Sequence, residues 1–142
     1  RQIGGRFSRE EGLCHDFARA LLIPTTCRAV VKSAPSLNEL REVSRLFAVS
    51  MEPMLRRILY DWGMWGSALF ACISWDRNRL RVDCFRGQSR KRALDRSPTR
   101  VQILGHIRNA TSFEEARALL QRTYGLTSTA TTESRHSMWL SL

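Results

Sequence analysis

The chain has 142 residues, 43% of them hydrophobic and 25% charged, with a formal charge of +10. That is a length for one compact domain or two very small ones, and an ordinary globular composition that excludes wholesale disorder. The longest apolar runs are a few residues, far short of the ~20 that cross a bilayer as a helix.

The first residue is Arg1 and no charged-then-apolar leader follows it, as expected of a chain whose reading frame begins further upstream. The positive charge is almost all arginine, and 76–100 holds nine basic and three acidic residues, a net of +6. A block of this kind attracts phosphates or acidic partners, or is simply a solvated surface. The four cysteines, Cys14, Cys27, Cys72 and Cys84, form no C-x-x-C pair. In apolar surroundings they read as buried free thiols of a reducing compartment, with neither a disulfide framework nor a cysteine zinc finger.

A boundary is expected near 62–66, where DWGMWG separates a helical part, 1–62, from a small α+β region, 66–142. Ser8 and Glu11 form an S-x-x-E capping box, and the helix it opens carries Leu13, Phe17 and Leu21 at four-residue spacing until Pro24. Cys14, Phe17 and Leu21 are expected in the core. A short helix is predicted over 26–33. A second capping box, Ser36 to Glu39, opens a helix with Leu40, Val43, Leu46 and Phe47 on one face. Val49-Ser50 makes a turn, and Leu55, Ile58 and Leu59 belong to the helix after it.

SALFACISW and RLRVDCF read as a hairpin turning at Arg77-Asn78. Ala71 then faces Cys84, Ile73 faces Val82 and Trp75 faces Leu80, with Cys72 on the opposite face from Cys84. The Arg-rich stretch 86–100 is expected as a loop. TRVQILGHI is a strand or short helix, a third capping box at Ser112 opens a helix ended by Gly125, the stretch 127–133 is loop, and HSMWLSL is a closing strand. Trp62 and Trp65 are packing anchors, Glu114 and Glu115 favour a helix start, and His106 and His136 have no spaced partners.

Two stretches carry more than generic pattern: EGLCHDFARALLIP at 11–24 and SLNELREVSRLFAVSMEPMLRRI at 36–58. Together they resemble the ImmA/IrrE family of zinc metallo-endopeptidases, whose members carry E-x-x-(C/A)-N-x-F-A-x-x-L-L-x-P. Glu11, Cys14, Phe17, Ala18, Leu21, Leu22 and Pro24 stand at matching positions, supported by Leu40, Phe47, Val49 and Ser50, over about a third of the chain. The resemblance implies a zincin-like helical segment in an α+β chain, a cytoplasmic setting and a repressor protein with a helix-turn-helix as substrate. It makes Glu11 the third zinc ligand, beside an H-E-x-x-H helix that supplies two histidines and the general base. His15, one turn on, replaces the family's usual Asn or Asp, a group that orients a ligand. The chain's three histidines include no H-E-x-x-H, so these residues alone are expected to be inactive, the catalytic helix lying upstream of Arg1.

Two further readings stand beside it. The rhythm of 36–58 is that of a helix-turn-helix, with Arg56 and Arg57 reaching a DNA backbone. Met51, Glu52, Pro53 and Met54 would begin its recognition helix and do not read base edges, so nucleic acid is not the expected partner. The third reading is a non-catalytic remnant or interaction module whose basic loop binds an acidic partner.

Overall fold

The structure is a computed structural model and describes residues 3–88, 98–125, 131–134 and 136–142. It is α+β. Helix α1 spans Ile3–Leu22, followed by a 3-10 turn at Thr25–Val30, α2 at Leu37–Leu46, and α3 at Met51–Arg56, which widens into a π-turn at Arg57–Asp61. Strands β1, Leu69–Asp76, and β2, Arg79–Arg86, form the hairpin. Helices α4, Arg100–Ile107, and α5, Phe113–Tyr124, then precede β3, Thr131–Ser134, and β4, Ser137–Ser141.

The sheet is antiparallel in the order β2-β1-β4-β3, so the closing strand of the sequence lies in the interior and β2 at an edge. Ala71 faces Cys84, Ile73 faces Val82 and Trp75 faces Leu80, the expected register. Arg77 and Asn78 both have positive φ, 48° and 64°, the conformation a two-residue hairpin turn demands. Side chains alternate across the sheet, so each strand serves two layers. Phe70, Phe85 and Trp139 pack with Leu40, Val43, Met54, Leu55, Ile58 and Leu59 from α2, α3 and the π-turn. Ala71, Ile73, Val82, Met138 and Leu140 pack on the other side with Ile103, Ile107, Ala116 and Leu120 from α4 and α5. The sheet is therefore sandwiched between two helical layers, and the first core joins residues from both sides of 62–66.

Local chemistry fixes the helix ends. The Ser36 side chain accepts from Glu39 N at 3.0 Å, while the Glu39 carboxylate turns away to accept from Lys32 N at 3.0 Å. TRVQILGHI is a helix, opened by a reciprocal capping box between Thr99 and Gln102 that satisfies two otherwise orphaned N–H groups. Ser112 caps α5, accepting from Glu115 N at 3.2 Å, and Gly125 ends it at φ 62°. Trp62 and Trp65 are buried anchors, the latter donating Nε1–H to Lys32 O at 2.9 Å.

Several expectations are corrected. The first helix begins at Ile3, so Ser8 lies inside it and cannot be its N-cap; nothing in Arg6–Ser8 breaks a helix begun earlier. Cys14, Phe17 and Leu21 are exposed, as is Leu13. Their spacing marks one face of a helix, but a period does not specify what covers that face. Leu46 is exposed too, because the buried side of α2 runs through Leu37, Leu40 and Val43. Thr131–Ser134 is a strand and not loop. The cysteines are free, but Cys14 is exposed and the other three are half-buried; burial pushes the Cys84 thiol up. The expected loop 86–100 begins in β2 and ends in α4, and its central part, 89–97, lies outside the described residues.

Gly87 closes the hairpin onto the turn after Trp65, its N–H donating to Ala68 O at 2.8 Å. A Cβ at this position would overlap Trp65 O and the Gly66 carbonyl group, all backbone and unable to swing aside. Gly87→Ala is expected to destabilise by about 2 kcal/mol, read as a lower urea midpoint at unchanged slope.

Candidate functional site

Helix α1 holds both residues that the family resemblance singles out. Glu11 is the ninth residue of the helix, well past the first turn, so it caps nothing there. His15 follows one turn later, its Nε2 at 3.8 Å from Glu11 Oε1, with side-chain exposures of 73% and 68% for the His and the Glu. Among the described residues no group of three or more His, Cys, Asp or Glu is placed to hold a metal.

At 3.6 residues per turn, Leu13, Phe17, Leu21, Cys14, Ala18 and Glu11 sweep roughly 160° of the α1 circumference as one continuous arc. Leu13, Phe17 and Leu21 are 63%, 68% and 64% exposed. On the opposite side Arg19 alone is partly covered by the body, the other described side chains of the helix being exposed. There His15, Asp16 and Arg19 border a groove of about 580 Å3 closed by Glu52, Pro53 and Arg56 from α3.

The attachment of α1 is a carboxylate held between two guanidiniums. Arg19 donates from Nε to Asp61 Oδ2 at 3.0 Å and from Nη2 to Asp61 Oδ1 at 3.3 Å, while Arg57 Nη1 reaches the same Oδ2 at 3.2 Å. Arg57 also donates Nε–H to Ile23 O at 2.8 Å and Nη2–H to Thr25 Oγ1 at 3.3 Å, tying down the chain just after the helix. Ile23 itself is fully buried. Burial alone would raise the Asp61 carboxyl, but the hydrogen bonds and charges of Arg19 and Arg57 outweigh it and hold the group below the usual carboxylate range. Arg57 and Asp61 stand four residues apart at the two ends of the π-turn, a separation that makes them neighbours on its surface.

Arg56 and Arg57, the backbone contacts of the helix-turn-helix reading, are engaged within the chain. Arg56 pairs with Glu52 at 3.0 Å and lies over the Phe85 ring at 5.1 Å. Arg57 sits in the Asp61 network with its guanidinium over Trp62 at 5.4 Å. His106 meets Tyr124 edge-on at 5.5 Å.

A second concentration of charge was not legible from the loop 86–100. A cleft of about 630 Å3 opens between β2 and α4, and among the described residues five arginines line it: Arg77, Arg79 and Arg81 from the hairpin, Arg100 at the start of α4 and Arg108 just past its end. The available signal was the R-x-R-x-R alternation through the turn, which places arginines side by side at an edge.

No protein-family model, no curated protein and no solved structure matches this chain. No helix among the described residues is long and apolar enough to cross a membrane.

Proposed function

We propose that α1 is one wall of a zinc peptidase site of the ImmA/IrrE type, completed by an H-E-x-x-H helix that covers its open arc. The observation that carries the reading is the combination on one helix of an uncovered apolar face with Glu11 at its margin. Without a capping role, Glu11 has no structural task among the described residues beyond its contact with His15. A helix seated on Leu13, Phe17 and Leu21 would remove that apolar surface from water and arrive beside the Glu11 carboxylate.

Zinc fits the donor types but not their number. Carboxylate oxygen and imidazole nitrogen both bind it, yet a catalytic ion takes three protein ligands and an open position. Glu11 and His15 alone therefore do not hold the ion, and no catalytic step is assigned to these 142 residues. The proposal carries a repressor protein as substrate and a cytoplasmic setting, both supported by the family resemblance.

The coding frame on the N-terminal side of Arg1 provides the test. An H-E-x-x-H there, with about one zinc bound per chain in the full product and affinity reduced about ten-fold or more by Glu11→Gln, is the expected result. A frame without that motif, or zinc binding indifferent to Glu11→Gln, overturns it.

A further inference from the structure

The cleft between β2 and α4 combines three features that no structural task explains together. The first is charge. Arg77, Arg79, Arg100 and Arg108 are exposed and make no ion pair among the described residues, and Arg81 reaches only Asp83, at 3.5 Å. Asp76 is the one carboxylate among the described residues of the cleft wall. A cleft in which positive charge predominates in this way focuses field on anions, and guanidinium forks suit carboxylates bidentately.

The second feature is where the cleft runs. Consecutive strand residues point to opposite faces, yet Arg79, Leu80, Arg81 and Val82 all line it. A cavity touched by four consecutive strand residues lies along the strand's edge, and β2 is an edge strand bonded only to β1 among the described strands. The third is the floor. Leu80 and Val82 face the second core, and α4 extends that apolar side into the cleft with Leu104 and with Val101, which is 74% exposed.

We propose that this edge binds an extended acidic peptide segment in which acidic and apolar residues alternate, added alongside β2. Alternation places the carboxylates on the face of Arg79 and Arg81 and the apolar side chains on the face of Leu80, Val82, Val101 and Leu104. The four strand residues span about 13 Å, room for about four to five peptide residues. An exposed strand edge supplies backbone pairing to a peptide and offers nothing comparable to a nucleic acid. Among the described residues the wall also lacks the aromatic platforms on which unpaired bases stack. Arginines on an edge strand also discourage pairing between copies of the chain, which a partner carrying its own carboxylates overcomes.

Fluorescence anisotropy with a labelled octapeptide of alternating Glu and Val tests this on the full 142-residue chain. Binding is expected, weakening at least about ten-fold in the double variant Arg79→Glu/Arg81→Glu and falling steeply with added salt. The two arginines are exposed, so the variant should keep the circular dichroism of the parent. Val101→Asp, on the apolar side, should weaken the same peptide, and an isomer with its Glu and Val in separate blocks should bind less tightly. No binding, equal binding of the two peptides, or indifference to Arg79→Glu/Arg81→Glu overturns the proposal. Tighter binding of a short duplex DNA, lost in the same variant, would overturn it in favour of a nucleic-acid site.

Discussion

Trp139→Ala is expected to destabilise the chain by about 4 kcal/mol, lowering the melting temperature by about 10–15 °C. Trp139 is 1% exposed in the middle of β4, between β1 and β3, and its ring lies 5.3 Å from that of Phe85. It belongs to the core in which α2 and α3 meet the sheet. Removing the indole leaves a void bounded by secondary structure from both sides of 62–66, and a void so framed collapses poorly. Trp139→Phe, which keeps an aromatic ring, should lose considerably less. Because the core is shared, the helical part and the sheet should melt in one transition that moves as a whole in the variant. Calorimetry showing two transitions, with only the later residues destabilised, would contradict the shared core.

The hairpin was legible in the sequence because strand pairing is local. Once Arg77-Asn78 is the turn, alternation sets Ala71 against Cys84 and every pair beyond it, and a slip of one residue would turn Ile73 and Val82 to the opposite face of the sheet, out of the core they share with α4 and α5. Gly125, Ser36 and Ser112 were legible for the same reason, since each cap is decided within one turn of chain. What escaped depends on distant partners. The spacing of Leu13, Phe17 and Leu21 marks a face of α1, but their exposure follows from the chain beyond Leu22, which anchors the opposite side of the helix. Leu46 resembles its neighbours in type and differs only in rotation about α2. The arginine cleft needs α4 laid against β2, an arrangement of residues at least 18 positions apart that no local pattern contains. At the candidate site, the sequence brought out Glu11 and His15 as neighbours one turn apart, which the structure bears out. It misassigned Glu11 to a cap because Ser8 looks like a helix start when no earlier start is visible.

Asp61→Ala is expected to free α1 while leaving the sheet folded. The carboxylate receives Arg19 at 3.0 Å and Arg57 at 3.2 Å, and the two guanidinium side chains are only 11% and 12% exposed. Without Asp61, two largely covered cations face each other with Asp16 the remaining carboxylate on Arg19. Losing charge-assisted hydrogen bonds of this kind costs about 2–3 kcal/mol, concentrated in the junction of α1 because that is where both arginines act. Hydrogen exchange across 9–22 should accelerate, and trypsin should cut after Arg19 sooner than in the parent. Exchange in β1 and β4 should change little.

Acid should mimic the substitution. The Asp61 carboxyl is held below its ordinary value of 3.8 in the folded chain, so the unfolded state takes up its proton first as pH falls. The stabilisation is thus complete above that ordinary value and declines as pH drops through it toward the lower folded value. Cleavage by an acid-active protease near the C-terminal end of α1 should rise over that range in the parent and be flat in Asp61→Ala, while equal pH dependence in both would place the clamp elsewhere. The consequence reaches the proposed site, because Glu11 and His15 ride on the helix that Asp61 holds. Any partner that needs Glu11 in a fixed place should bind Asp61→Ala more weakly, although Asp61 touches neither residue.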